Sequence, residues 1–363
     1  MTSTSLLDRP DRIHKLDPSG MAELLRDFPS QVEDAIRIGE DFRPPRSLLQ
    51  GSIEKVIFTG LGGSAIGGDV IRSLTALDCP VPIWVSRHYK LPPFADSRTL
   101  CIFSSYSGNT EETLSAFREG IRRKLKALVI TSGGELACMC GRASIPWIEL
   151  PKGFPPRLAL GYSVFPILKL FSRLGLWKWE GRAVEETLSI LSSLARKKYS
   201  SEVPFRINPA KKLAQSLAGR WVVIYAGTEL LDSAALRFRN QIEENAKAMA
   251  SHHLLPEMNH NEILGWRFPA NLLPRCACVF LRDRGDHSRI QLRMKITKNW
   301  IAKKRGVFMS EFHSSGKSRL ARLFSVIHLG DWASYYLALL YRIDPTPVAV
   351  IESLKKQLAR VKF

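Results

Sequence analysis

Short hydrophobic runs alternate along the chain with longer stretches in which apolar residues recur at helical spacing. The short runs predict buried strands, and the longer stretches predict amphipathic helices. Strands and helices in alternation are typical of a parallel sheet that is covered by helices on both faces. In the first half, strands are predicted at residues 55–59, 82–85, 100–103, 127–131 and 147–150.

A stretch rich in proline and glycine at residues 151–163 interrupts the pattern, which then returns. In the second half, strands are predicted at residues 221–226, 277–281 and 306–312. We therefore expect an α/β protein of two doubly wound domains with mainly parallel sheets. The N-terminal domain, with leading helices, is predicted to cover residues 1–155, and the C-terminal domain, with closing helices, residues 156–363.

Residues 251–266 follow a helix that is predicted over residues 231–250, and they contain a short polar turn between apolar residues. The histidines at 252, 253 and 260 are candidate ligands of a metal ion. Their spacing matches no standard pattern of metal ligands. No strand is predicted in this stretch.

A hydroxyl-rich turn at residues 104–110 follows the third predicted strand, and a helix that begins with two glutamates follows the turn. Free backbone N–H groups and the positive end of the helix dipole favour an anion there. Ser105, Ser107 and Thr110 add donors, and Gly108 permits a tight backbone. The turn therefore predicts a site for a phosphate monoester, and the alternative is a Ser/Thr-rich N-cap with a capping-box glutamate.

A glycine-rich turn at residues 60–70 follows the first predicted strand and fits the loose dinucleotide fingerprint G-x-G-x-x-G/A. The next strand ends in Ser86 and Arg87, so the acidic residue that would hold a ribose is missing. Arg87 would suit a 2′-phosphate instead. Ser64 offers a hydroxyl at the start of the helix, which favours a sugar-contacting turn over a nicotinamide cofactor.

Composition narrows the protein class without identifying a function. The formal net charge of the 363 residues is +19, but Lys and Arg are spread along the chain, which favours a solvated basic surface over a nucleic-acid site. The six cysteines lack zinc or thioredoxin spacing and are predicted to be reduced core thiols. The polar N-terminus and the interrupted apolar stretch at residues 320–343 predict a cytoplasmic protein with one or two buried helices there and no membrane partner.

Several segments together resemble one family, the archaeal and bacterial bifunctional phosphoglucose/phosphomannose isomerases of the sugar isomerase (SIS) superfamily. The resemblance runs in order from about residue 15 to residue 360 and is weakest at residues 282–318. The segments that carry it are GLGGSAIGGD, SSYSGNTEETL, the Pro-Arg loop at Arg157, QIEENAKAMA, EMNHNEILGW, LGDWASYYLALL and DPTPVAVIESLKKQL.

The resemblance implies two SIS-type domains, usually paired into a homodimer, and a small-molecule sugar phosphate as substrate. It implies interconversion of glucose 6-phosphate, and of mannose 6-phosphate, with fructose 6-phosphate through a cis-enediol. That chemistry moves a proton between two carbons and requires no metal or other cofactor. The alternatives are a non-catalytic SIS-domain regulator that binds sugar phosphate, an NADP-dependent oxidoreductase and a nucleic-acid binder.

The resemblance also implies a set of catalytic residues. Glu244 is expected to be the proton-shuttling base, with Glu243 as the fallback. His260 is expected to open the sugar ring across a dimer interface, and Lys355 to assist. Arg157, which the loop alone would make a surface arginine, is expected to stabilise the enediolate.

The expected substrate-binding residues form a second set. Ser105, Ser107 and Thr110 are expected to hold the phosphate, and Ser64 to contact sugar or phosphate. Thr346 is expected to leave space for the rotation about C2–C3 that the mannose epimer requires.

Overall fold

Two parallel β-sheets form the frame of the protein, whose structure is a computed structural model that describes residues 6–304 and 306–361. The strands are β1 (Lys55–Thr59), β2 (Ile83–Ser86), β3 (Thr99–Ser104), β4 (Lys126–Thr131), β5 (Trp147–Glu149), β6 (Trp221–Gly227), β7 (Ala250–Leu255), β8 (Cys276–Arg282) and β9 (Phe308–His313). The first sheet has the order β2-β1-β3-β4-β5 and the second β7-β6-β8-β9. Every pair of neighbouring strands is parallel, which confirms the predicted α/β class.

Helices connect the strands and cover both sheets. They are α1 (Pro10–Leu16), α2 (Met21–Arg26), α3 (Phe28–Asp41), α4 (Arg46–Leu49), α5 (Gly62–Thr75), α6 (Glu111–Arg122), α7 (Gly134–Ala143), α8 (Leu160–Arg173), α9 (Gly181–Ser193), α10 (Pro209–Leu217), α11 (Asp232–Ala246), α12 (Glu262–Gly265), α13 (Ser288–Ala302), α14 (Arg319–Leu340) and α15 (Ala349–Leu358).

The long helix α14 is the central element of the core. It is long and apolar enough to cross a membrane, but 94% of its most hydrophobic stretch is buried inside the protein. Its neighbours include α9, α10 and α11, which all belong to the second half. This agrees with the prediction of one or two buried helices at residues 320–343.

Helix α8 lies just after the proline-rich loop and packs on α3 and α5 of the first half. One continuous cluster of buried apolar side chains includes residues of both halves, such as Phe58, Phe171 and Phe324. The two sheets therefore share packing across the predicted boundary between residues 155 and 156, and the position of that boundary stays a prediction.

The structure of residues 231–266 differs from the sequence-based prediction, because it contains strand β7. The helix predicted over 231–250 ends at Ala246, because Lys247 adopts the left-handed conformation with φ of 52° and caps it. Residues 250–255 then pair with β6 as an edge strand. The strand is half-buried and carries two histidines, so it lacks the continuous apolar run that marks a central strand.

The cysteines are free, as predicted, but they are not all in the core. Cys101, Cys140 and Cys278 are buried, and burial raises the pKa of the Cys101 thiol to about 12. Cys138 is exposed and Cys79 and Cys276 are half-buried, so the prediction of core thiols is wrong for these three. Helical periodicity places Cys138 two residues from buried Cys140 on another face of α7.

Candidate active site

The order β2-β1-β3 creates a crevice between the carboxyl ends of β1 and β3, because the connections from these two strands leave in opposite directions. Ligands of open parallel sheets bind at such a switch point. The glycine-rich turn at residues 60–64 follows β1, and the hydroxyl-rich turn at residues 105–110 follows β3. The two motifs singled out in the sequence are therefore neighbours in space.

The hydroxyl-rich turn has its side chains arranged around the start of α6. Ser105 Oγ and Thr110 Oγ1 share a hydrogen bond of 2.8 Å, and the Ser107 hydroxyl accepts from the Asn109 N–H at 3.3 Å. Thr110 is the N-cap residue of α6, yet in the described structure its side chain caps no N–H of the first turn. The capping alternative is thus not observed, and the Thr110 side chain satisfies none of the first-turn N–H groups of α6.

Gly108 is required for the shape of this turn. Its φ is +69°, and a Cβ there would lie 1.8 Å from the carbonyl oxygen of Gly133. The turn therefore packs directly on the loop that follows β4. Asn109 Oδ1 accepts from the Glu135 N–H at 3.0 Å and holds the two loops together.

Ser64 connects the two turns at the switch point. Its hydroxyl accepts a hydrogen bond of 3.0 Å from the backbone N–H of Tyr106. The Tyr106 hydroxyl in turn donates to the Pro151 carbonyl at 2.7 Å and accepts from the Phe154 N–H at 2.9 Å. Tyr106 thereby ties the hydroxyl-rich turn to the loop that carries Arg157, a role that sequence reasoning missed.

Helix α5 lies in close contact with the loop that carries Arg157, because the helix begins with glycine. A Cβ on Gly63 would lie 2.7 Å from the carbonyl carbon and oxygen of Pro156 and 2.8 Å from the Arg157 nitrogen. Any side chain at position 63 would push the loop away from the sheet edge. The glycine-rich turn thus serves the placement of Arg157 as well as access to the crevice.

Arg157 is buried, with only 4% of its surface exposed, and its guanidinium is held from three sides. Nε donates to Asn245 Oδ1 at 2.7 Å, and Nη2 donates to the carbonyls of Pro345 at 2.9 Å and Thr346 at 2.8 Å. Nη1 lies 3.7 Å from Glu244 Oε2. Burial lowers the pKa of Arg157, and the Glu244 carboxylate acts in the opposite direction.

Glu244 lies near the end of α11, and its side chain is 26% exposed beside the Arg157 guanidinium. Its neighbour Glu243 is 43% exposed and forms an ion pair of 3.6 Å with Arg239 on the same helix. Burial raises the pKa of Glu243. The structure therefore places Glu244, and not Glu243, against the buried cation.

A buried ion pair between Arg237 and Asp331 also holds the backbone of Arg157. Arg237 binds both carboxylate oxygens of Asp331 at 2.9 Å, and its Nη2 also donates to the backbone carbonyl of Arg157 at 2.8 Å. Asn245 donates to Ser334 Oγ at 2.9 Å. Asp331 and Ser334 belong to the LGDWAS stretch of α14, so this sequence motif has a structural role beside the site.

The two residues expected to open the sugar ring lie elsewhere. His260 is exposed on the segment after β7, and no hydrogen bond or ion pair within the described chain joins it to Glu244. Glu262 anchors this segment, accepting from the Tyr225 hydroxyl at 2.5 Å and lying 2.9 Å from His253 Nδ1. Lys355 is exposed on α15, where none of the described residues pairs with it.

The described residues contain no cluster of three histidine, cysteine or acidic side chains that could hold a metal ion. His252 and His253 are successive residues of β7 and point to opposite sides of the sheet. Burial lowers the pKa of His252 to about 4, so it is neutral at physiological pH. Arg87, the residue considered for a 2′-phosphate, is bonded to the buried Asp69 carboxylate.

The switch point of the second sheet has the opposite electrostatic character. There Asp283 and Asp286 follow β8, and both are buried. Asp283 accepts from Arg322 Nε at 2.8 Å, and Asp286 accepts from the Asp283 N–H at 3.1 Å. Buried carboxylates in this place disfavour a bound phosphate.

Comparison with known proteins agrees with this geometry. Residues 206–358 match the model of the bacterial phospho-glucose isomerase C-terminal SIS domain. A bifunctional phosphoglucose/phosphomannose isomerase of Caldicellulosiruptor bescii is 43% identical over 94% of this chain and 100% of its own length. One from Aquifex aeolicus is 39% identical over 84% of this chain and 90% of its own. A hypothetical protein from Thermus thermophilus has the same fold, with a TM-score of 0.72, 16% identity and coverage of 98% of this chain and 94% of its own.

The two helix-covered parallel sheets and the hydroxyl-rich turn at the first switch point define an α/β protein of the SIS type. The chain belongs to the bifunctional phosphoglucose/phosphomannose isomerase family. The roles expected of individual site residues stay predictions.

Proposed function

We propose that this protein interconverts glucose 6-phosphate and mannose 6-phosphate with fructose 6-phosphate. The observation that carries the proposal is the pairing of Glu244 with the buried Arg157 at 3.7 Å, whose loop packs against Gly63 at the switch point. Membership in a family whose relatives bear the names of both isomerase activities supports it. The proposal explains why a partly exposed carboxylate lies beside a buried cation.

The reaction needs a base that removes the proton from one carbon and returns it to the neighbouring carbon. Glu244 is the base in this proposal, since its carboxylate is the one that faces the crevice cation. The electron pair released from the C–H bond collects on the carbonyl oxygen as an enediolate. The Arg157 guanidinium stabilises that oxygen, and it is already oriented by neutral acceptors before the substrate arrives.

The phosphate takes no part in the proton transfer. It is proposed to sit on the turn of Ser105, Ser107 and Thr110 at the start of α6, where hydroxyls and first-turn N–H groups converge. Binding at this fixed point holds the reacting carbons near Glu244. Such positioning supplies a large part of the rate enhancement of a bound substrate.

Ring opening is proposed to use His260 from a second copy of the chain, together with Lys355. Exposure of His260 on a segment that Tyr225 and His253 anchor through Glu262 supports this assignment. Mixing the His260→Ala variant with the Glu244→Gln variant tests this assignment. If each site takes Glu244 from one copy and His260 from the other, every mixed dimer has one intact site. Random pairing then restores about a quarter of wild-type activity. An absence of recovery in confirmed mixed dimers would place both residues of each site in one chain.

The direct test of the function follows fructose 6-phosphate with purified protein in the presence of EDTA. Glucose 6-phosphate and mannose 6-phosphate are both measured, and Glu244→Gln is assayed in parallel. The proposal predicts both products, and their loss in the variant while sugar phosphate still binds. Binding without any product in the wild type would make the protein a sugar-phosphate sensor.

A further inference from the structure

Among the described residues, the side chain of Lys247 forms hydrogen bonds with backbone oxygen atoms. It follows Glu244 by three residues and caps α11 with a φ of 52°. Nζ donates to the carbonyls of Asn245 at 3.1 Å, Asp344 at 3.2 Å and Pro345 at 2.9 Å. A lysine ammonium has three donors, and these three bonds use all of them. Lys247 is therefore built to hold backbone in place and has no donor left for a substrate.

The same turn is bonded to Arg157. Arg157 Nη2 donates to the carbonyls of Pro345 at 2.9 Å and Thr346 at 2.8 Å. Two cations thus converge on the Pro345 oxygen, and each also holds one neighbouring carbonyl of the turn. Because Lys247 and Glu244 belong to the same segment, these bonds fix the distance between the turn and Glu244.

Thr346 is the residue whose place depends on this arrangement. Its N–H donates to Asp344 Oδ1 at 2.9 Å and its carbonyl accepts from Arg157, so its backbone is fixed at both ends. Its hydroxyl is buried and has no hydrogen-bond partner in the described structure. The position of this side chain is therefore set by the backbone of the 344–346 turn and not by a hydrogen bond of its own.

Glucose 6-phosphate and mannose 6-phosphate differ only in configuration at C2 and give the same enediol. One carboxylate can serve both only if the C2–C3 bond rotates, so the space beside that bond decides between them. We propose that Lys247 is a positioning residue that sets the relative use of the two epimers by holding the 344–346 turn. This inference rests on the function proposed above.

The test compares the kcat/KM of mannose 6-phosphate with that of glucose 6-phosphate in Lys247→Met, Lys247→Arg and wild type. Lys178→Met is the matched control, since the Lys178 side chain is 85% exposed. We expect Lys247→Met to shift the ratio by about tenfold, because sub-ångström errors in placement have effects of this order. Arginine can bond the same carbonyls and is expected to keep the ratio close to that of the wild type.

The ratio is independent of how much of each variant is folded, since both substrates meet the same enzyme. A purely structural role would lower both values together, and an unchanged ratio in Lys247→Met would overturn the proposal. If that variant does not fold, Lys247→Gln, which offers two donors instead of three, is judged by the same criterion. A wild-type protein that acts on neither epimer would instead refute the proposed function itself.

Discussion

Arg157 and Asn245 lie 88 residues apart in the chain and meet in a hydrogen bond of 2.7 Å between Nε and Oδ1. The bond joins the loop at the edge of the first sheet to the last turn of a helix of the second half. The guanidinium group of arginine is planar, so a bond that fixes Nε also fixes the direction of both NH₂ groups. Asn245 thereby aims Nη1 at Glu244 and Nη2 at the 345–346 carbonyls.

Changing Asn245 to Asp tests this orientation. A carboxylate against Nε would neutralise the guanidinium that is proposed to stabilise the enediolate. We expect kcat to fall by about 10- to 100-fold while KM changes less, as for loss of a preorganised electrostatic contact. Steady-state kinetics with fructose 6-phosphate measure both.

Asn240→Asp is the matched control for this variant. Asn240 lies on the same helix and also accepts from an arginine, Arg239, at 2.6 Å, but outside the site. Its substitution is expected to leave kcat within about twofold of the wild type, since ion pairs of partly exposed side chains have small energies. Equal losses in both variants would show that a general effect on α11, and not the orientation of Arg157, is responsible.

Gly63→Ala is predicted to impair activity through Arg157. The new Cβ would lie 2.7 Å from the Pro156 carbonyl, so the loop must shift and carry Arg157 away from Glu244. We expect a loss of kcat of about 100-fold, because displacements near 1 Å at a reacting centre have this effect.

Gly141→Ala provides the comparison, since Gly141 lies in helix α7 and a Cβ there meets nothing within 4 Å. That variant is expected to keep activity and to gain up to about 1 kcal/mol of stability from its helix propensity. Full activity in Gly63→Ala would contradict the close packing described for the loop.

Ser105→Ala tests the phosphate site. Loss of a hydroxyl that bonds to a charged group costs about 1.5–3 kcal/mol, so KM is expected to rise by about 10- to 100-fold with a smaller change in kcat. Inhibition by inorganic phosphate should weaken in parallel. Ser216→Ala, which removes an exposed hydroxyl bonded to the Lys212 carbonyl, should change neither. A wild-type KM for Ser105→Ala would exclude the Ser105 hydroxyl as a phosphate ligand.

Asp286→Asn is predicted to stabilise the protein in a pH-dependent way. Burial raises the pKa of Asp286 from 3.8 to about 6, against the hydrogen bond from the Asp283 N–H, which lowers it. One of the Asp286 carboxylate oxygens has no partner in the described structure. Above pH 6 the folded state carries a desolvated charge, which costs about 2–3 kcal/mol at about 1.4 kcal/mol for each pKa unit. Below about pH 4 the group is protonated in both folded and unfolded chains, and the cost disappears.

Denaturant unfolding at pH 8 and pH 4 measures this effect. The asparagine variant should gain stability at pH 8 and show little difference at pH 4. Asp78→Asn, a change on the exposed surface, should show neither effect. A gain that persists at pH 4 would assign the stabilisation to something other than the buried charge.

The central strands could be predicted from sequence because burial on both faces leaves continuous apolar runs. Residues 55–59 were predicted as a strand and form β1 with those bounds. Strand β7 could not be found this way, since an edge strand with two histidines resembles a polar connection. Its neighbour Lys247 gives no sequence signal for the left-handed conformation that ends α11.

The candidate site could be predicted only where its residues lie in local motifs. The turns at Ser64 and Ser105 follow strands, and topology then brings them together. The contacts of Arg157 join it to residues 88 and 188 positions away, and no local pattern contains such information. Tyr106 and Lys247 were missed because their roles are bonds to backbone, which any loop could in principle provide.

The most direct test of the account follows deuterium in D₂O during turnover of fructose 6-phosphate. Mass spectrometry of the recovered sugar phosphates reports whether a carbon-bound proton has exchanged. The account predicts exchange with the wild-type protein and no exchange with Glu244→Gln. Glu243→Gln should still show exchange, because Glu243 forms an ion pair with Arg239. Exchange that persists in Glu244→Gln but disappears in Glu243→Gln would contradict the assignment of Glu244 as the base.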